Sequence, residues 1–391
     1  MEIKTLNEQI ERLRELVRKC YGAVAGKNGT VPEVGERNME NLPAAITSTH
    51  DTLEELTITQ NGEYTPQDGV DGFSKVVAIV VPTKRVVLRE RIRVNSSMIV
   101  DGYWAAELID TSLLTSIDNF FYSCNDLRIC DVSNWDTSKV TNMSYVFSAC
   151  NTLEHIDVSN WDTSKVTSFL SMFSGCSSLR ELNTSNWGVT ANDIRGMFRT
   201  CTNLESVDVS KFDTSKMTSL EFIFFGCNNL KIIDVKNWDT KMVTNLHYTF
   251  NECQSVKILD VSRWDVSNVT KMTSLFYKCR ELEMLDLTMW NVLNLTNVDY
   301  MLAFCNKLLS LIGNRTIEDV LANNICALSG LKSSLSLSYT SIDRASIRAV
   351  INGLADLTGQ STQTLTLGAT LMAKLTEEDI AIATSKNWTI V

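Results

Sequence analysis

Apolar positions along this chain return on a period longer than that of any single helix or strand. A cysteine recurs at Cys124, Cys150, Cys176, Cys201, Cys227, Cys253, Cys279 and Cys305, a step of 26 residues with one step of 25. Three residues before it stands Phe121, Phe147, Phe173, Phe198, Phe224, Phe250 or Phe276, with Leu302 in the last copy. Three residues after it comes an aliphatic: Leu127, Leu153, Leu179, Leu204, Leu230, Val256, Leu282 or Leu308. An aromatic column at Trp135, Trp161, Trp187, Phe212, Trp238, Trp264 and Trp290 keeps the same step. Four columns sharing one period over eight copies make an internal repeat, and a repeat of this length implies stacked units.

Each unit has two halves of different periodicity. In "LEHIDVSNW", Leu153, Ile156 and Val158 fit the L-x-x-L-x-L frame of a leucine-rich repeat strand. In the second half, Val140, Met143, Val146, Phe147 and Cys150 are spaced 3, 3, 1 and 3, which predicts an apolar stripe on a short helix. Asp136, Thr137 and Ser138 precede it as turn and N-cap residues. The unit reads as strand, turn and helix, and one copy alone cannot cover its apolar side. The predicted fold is an α/β solenoid, a leucine-rich repeat array of about eight 26-residue units over residues 111–312. In the third unit, "NTSNWGVTANDIRGMF", Asn183 and Gly188 replace Asp and "TSKVT" is missing, so an altered turn is expected.

A stack needs ends unlike its middle. Residues 313–391 read as a leucine-rich-repeat-like cap of strands and amphipathic helices, with Thr376 to Asp379 as a helix start. Residues 1–27 carry Ile3, Leu6, Ile10, Leu13, Val17, Cys20 and Val24 at steps of three and four, a heptad seam. Two readings stand for it: an attachment helix forming a homotrimer or dimer, or a single helix packed on its own domain. Residues 28–110 read as a small β-rich module and linker, with turns at Asn61-Gly62 and Asp71-Gly72.

The unit "LxxIDVSNWDTSKVTNMxxxFxxC" resembles the BspA-type leucine-rich repeats of bacterial surface proteins, found in gut and oral bacteria and in mycoplasmas. That resemblance implies a solenoid used for adhesion and ligand binding, without catalysis. The C-terminal tail is similar to the segment that follows many such arrays. Residues 57–82, "TITQNGEYTPQDGVDGFSKVVAIVVP", resemble a module of tail and baseplate-associated proteins of phages and prophages.

Composition then excludes several classes. A net charge of −10, from 36 Lys+Arg against 46 Asp+Glu, argues against nucleic acid as a partner. No run approaches the roughly 20 apolar residues that span a bilayer, so membrane insertion is not expected. "MEIKTLNEQIERL" lacks the basic start and apolar stretch of a signal peptide, so synthesis in the bacterial cytoplasm is expected. The three histidines stand in no catalytic or ligand motif, and no catalysis, cofactor or metal is expected. Without a C-x-x-C pair, the cysteines read as reduced, buried small hydrophobes in preference to disulfides or metal ligands. The tryptophans, fixed in the packing frame, read as core in preference to a sugar-stacking platform.

One polar column remains. Asp131, Asp157, Asn183, Asp208, Asp234, Asp260 and Asp286 alternate with inward aliphatics and so point outward. With Ser133, Ser159, Ser185, Ser210 and Ser262 beside them, they form the candidate concave ligand face. Carboxylates about 5 Å apart in water repel by roughly 0.8 kcal/mol per pair. Hydroxyls, backbone N–H groups, a cation or a basic ligand must offset this. The expectation is a non-enzymatic recognition protein, first a phage or prophage tail component of the virion binding a host-surface protein or glycan. In that reading the N-terminal region would meet other tail proteins. A secreted or surface BspA-like adhesin is the alternative, and a structural spacer of a particle the second alternative.

Overall fold

The computed structural model of the chain describes residues 62–64, 76–78, 86–89, 92–94, 99, 102–104, 106 and 109–391. The heptad positions Ile3 to Val24 lie outside the described residues. Strands β1 (Gly62–Tyr64) and β2 (Val76–Ala78) pair antiparallel, Gly62 opposite Ala78. Gly62 is thus a strand residue, and Asn61, Asp71 and Gly72, the other residues of the expected turns, lie outside the described residues.

The repeats begin with β3 (Val86–Val87), which pairs in parallel with β4 (Ile109–Asp110). Then β5 (Ile129–Cys130) pairs with β6 (His155–Ile156), and β7 (Glu181–Leu182) with β8 (Ser206–Val207), all parallel. Parallel bridges Ser206↔Ile232, Ile258↔Met284 and Met284↔Ser310 carry the column onward. The strands are only two residues long because each unit turns away at once into its second half.

That second half corrects the predicted helix. Among the described residues from 109 to 316 there is no α-helix. The segment is a ribbon of overlapping four-residue turns: Phe120 N–H bonds Ile117 O, Tyr122 bonds Asn119, and Cys124 bonds Phe121, at 3.1 to 3.2 Å. The alternate amides of Ile117, Asn119, Phe121 and Ser123 reach forward to Asn142, Ser144, Val146 and Ser148 of the next unit. Two residues four apart in each unit take positive φ, such as Tyr145 (59°) and Ala149 (61°), or Ser171 (51°) and Gly175 (82°). They are the third residues of their turns, where a type II turn needs φ > 0. A 3, 3, 1, 3 spacing fits this ribbon as well as it fits a helix. What decides is that the ribbon's amides bond between units, so both halves of every unit belong to a ladder. Asp136 likewise caps no helix: its Oδ1 accepts the Ser138 N–H at 2.9 Å, while the Thr137 hydroxyl donates to Asp162 O in the next unit at 3.0 Å.

The inward columns form one continuous core. Phe147, Phe173, Phe198, Phe224, Phe250 and Phe276 stack at 5.5 to 6.0 Å between centroids. Trp135 and Trp161 stack at 5.9 Å, Trp238 and Trp264 at 6.1 Å. The indole N–H groups of this column are paired: Trp161 donates to Val132 O, Trp187 to Val158 O and Trp264 to Val235 O at 2.9 to 3.1 Å. In the third unit Val189 replaces the threonine and its carbonyl accepts Asp213 N–H at 2.8 Å, while Arg195 clasps Asp193. The turn there is altered, as its sequence departs from its neighbours'.

The stack ends on a three-stranded parallel sheet of β9 (Leu335–Ser336), β10 (Gln363–Thr366) and β11 (Trp388–Ile390). Helices α1 (Ile317–Asn323), α2 (Arg344–Gly353), α3 (Gly368–Met372) and α4 (Glu377–Ser385) accompany it. Ser341 and Asp343 donate their N–H groups to Leu308 O and Leu309 O, joining cap to last repeat. Thr376 and Asp379 close a capping box at the start of α4.

Candidate recognition face

Inward aliphatics at the first, fourth and sixth positions of each strand leave the second, third and fifth outward, one above another along the stack. The fifth position is the Asp column. Asp131, Asp157, Asp208 and Asp260 each accept the hydroxyl and the N–H of the serine two residues on, hydroxyl distances being 2.6 to 2.7 Å. Asn183 does the same with Ser185, and Asp286 with Thr288. The serine hydroxyl beside each of Asp157, Asp208 and Asp260 holds its carboxyl below the usual range. Repulsion along the column is therefore offset locally, and at two places by cations: Lys236 lies 3.6 Å from Asp260, and Arg315 lies 2.6 Å from Asp286. The candidate ligand residues stand together on one face, but one oxygen of each carboxylate already serves a turn. Among the described residues no group of three His, Cys, Asp or Glu side chains is placed to hold a metal ion.

The second position lines the opposite margin with ion pairs between neighbouring units: Arg128–Glu154 at 2.8 Å and Lys231–Glu205 at 2.6 Å. Such exposed pairs add little stability.

The third position, between the two charged margins, was not singled out by the repeat pattern. It reads Ile129, His155, Glu181 and Ser206, then Ile232, Ile258 and Met284, and last Ser310. Ile232 is 72% exposed and Ile258 70%, in successive units. These are exposed apolar side chains beside a mostly charged margin. The sequence signal is apolar residues in successive units at a position that the packing frame leaves free.

The ladder cysteines and tryptophans lie elsewhere. Cys124, Cys150, Cys176, Cys201, Cys227, Cys253, Cys279 and Cys305 are buried free thiols. Each donates to the carbonyl of a residue about one unit back, as Cys201 does to Phe173 at 3.0 Å. Burial pushes the Cys124, Cys201 and Cys305 thiols up to about 12. The column tryptophans are at most 3% exposed and offer no face to a ligand.

These features define a stacked-repeat protein with a regular outer wall. The family described as "Mycoplasma protein of unknown function, DUF285" matches residues 105–193 and 192–314, more than half of the chain, and the chain belongs to that family. This supports the resemblance to BspA-type repeats and leaves residues 57–82 outside the match. A crystal structure of a leucine-rich repeat protein from Bacteroides ovatus is similar at 15% identity and a TM-score of 0.30, covering 86% of this chain and 100% of its own. No curated protein matches.

Proposed function

We propose that this chain is a non-enzymatic recognition protein of the adhesion type, a BspA-like leucine-rich repeat solenoid displayed at a bacterial surface. Its outward strand face binds a protein partner. The observation that carries the reading is the exposed strip of Ile232 and Ile258 set between the Asp column and the Glu/Lys margin. Apolar anchors inside a polar rim are the arrangement of a protein interface. The partner complements it with apolar side chains flanked by basic groups.

The experiment is whole-cell and extracellular-matrix binding by the full chain and by Ile232→Ser/Ile258→Ser. Both side chains are exposed, so the variant should fold. Binding should fall at least tenfold, and equal binding by the variant would remove the strip from the interface.

A second reading, a tail-associated host-binding protein of a phage or prophage, draws on residues 57–82 and the antiparallel pairing of β1 with β2 within them. Finding the chain in purified particles would favour it, and finding it only on cells would favour the adhesin.

A further inference from the structure

The apolar strip on the strand face runs further than Ile232 and Ile258. Met284 follows them, half-buried, at the third position of the next unit. One unit on, Leu309 stands 55% exposed at the second position, its N–H bonded to Glu283 O at 2.9 Å. Four successive units thus place an apolar side chain on the outer wall.

The backbone beneath the strip is already paired from unit to unit. Lys231 N–H bonds Glu205 O at 2.9 Å, Glu283 N–H bonds Lys257 O at 3.1 Å, and Leu285 N–H bonds Ser310 O at 2.9 Å. An extended partner laid over these side chains would find no main-chain partner for its N–H and C=O groups. An α-helix satisfies those groups within itself. Its spacing fits as well: residues i, i+3, i+7 and i+10 of a helix span about 15 Å. The three steps from Ile232 to Leu309 span about 14 Å. Same-face residues of an extended chain recur about every 6.7 Å and fall out of step with units about 4.8 Å apart.

Charge sets the flank. Two residues along each strand from the strip, about 6.7 Å away, runs the Asp column. Asp208, Asp234 and Asp260 line that side, and Lys236 pairs with the last at 3.6 Å. The other margin is neutral over the same units, Lys231 and Lys257 matching Glu205 and Glu283 in number.

We propose that the strip seats an amphipathic α-helix of a protein partner, lying along the stack. Its apolar residues, at steps of three and four, meet Ile232, Ile258, Met284 and Leu309. Lys or Arg on one side of that stripe meets the Asp column. The assignment rests on the strand face being a protein interface, and the two can fail separately in one experiment.

Random peptides of about 20 residues, long enough for a helix of several turns, are displayed on yeast and selected on the full chain. The survivors are then measured against Ile232→Ser/Ile258→Ser. Peptides that lose at least tenfold in affinity on that variant should carry apolar residues at steps of three and four, with Lys or Arg on one side. A proline placed in mid-stripe should cut their binding to the parent at least tenfold, because it breaks a helix. Asp208→Asn/Asp234→Asn should weaken them at least threefold at low salt. That variant should fold, since Asn183 makes the same turn contact with Ser185 at the equivalent position. Strip-dependent peptides whose apolar residues alternate, or whose binding survives the proline, overturn the helix and keep the interface. Finding no strip-dependent peptide overturns both, and equal binding to the Asn variant overturns the basic flank.

Discussion

Replacing Phe250 with alanine tests whether neighbouring repeats share one core. Phe250 is fully buried, stacked 5.7 Å from Phe224 and 5.9 Å from Phe276, with Trp264 at 5.9 Å. Deleting a buried phenylalanine costs about 3–5 kcal/mol in lost transfer energy and cavity. The three aromatic neighbours lose a further contribution of about 0.5–1.5 kcal/mol each. The loss should therefore be about 4 kcal/mol or more, felt in three consecutive units. Ile258→Ala, at a site 70% exposed, is the matched control and should stay within about 0.5 kcal/mol of the parent. Equilibrium urea unfolding followed by tryptophan fluorescence reads both, Trp264 serving as a reporter beside the cavity. A loss below about 1 kcal/mol for Phe250→Ala, or equal losses for the two variants, would refute a shared core.

The cap should be acid-labile through Asp379. This carboxylate is fully buried, 2.6 Å from Arg348 and 3.0 Å from Arg344. Burial pushes its carboxyl up, but the Thr376 N–H and the two arginines outweigh that and bring it down to about 2. A group held below its ordinary value stabilises the fold above about pH 4, and that stability drains away as pH falls toward 2. Asp379→Asn should cost about 3 kcal/mol at neutral pH by removing the buried charge opposite Arg348, which keeps only the exposed Glu378 at 3.3 Å as an ionic partner, and its unfolding should lose part of the parent's dependence between pH 4 and 2. An unchanged acid profile would count against the pair. Thiol titration of the unfolded chain without reductant should find all 11 cysteines free, whereas in the folded chain the eight ladder thiols should resist alkylation at pH 8. Recovery of four or more as disulfides would contradict the buried-thiol ladder.

The repeat could be read from the residues because its core columns obey one rigid frame: Trp135, Phe147, Cys150 and Leu153 have fixed partners one unit away. The second half could not. Its apolar spacing suits a helix and a turn ribbon alike, and the backbone signal that separates them is diluted. Only Gly175, Gly196 and Gly226 mark left-handed positions with the expected residue, whereas Tyr145, Phe222 and Lys278 occupy others. The Asp column was visible because it never varies in chemistry beyond Asn183. The strip at Ile232 and Ile258 was not, because it occupies a position that packing leaves free and each unit fills differently.

Distances along the outer wall test the stacking most directly. Nitroxide pairs at Ser159 and Ser262, four units apart, and at Ser133 and Thr288, six apart, would be measured by pulsed electron resonance with Cys20 and Cys326 replaced by serine. At about 4.8 Å per unit, two sharp distributions centred near 20 Å and 30 Å are predicted. Broad distributions, or no increase from the first pair to the second, would contradict an in-register stack.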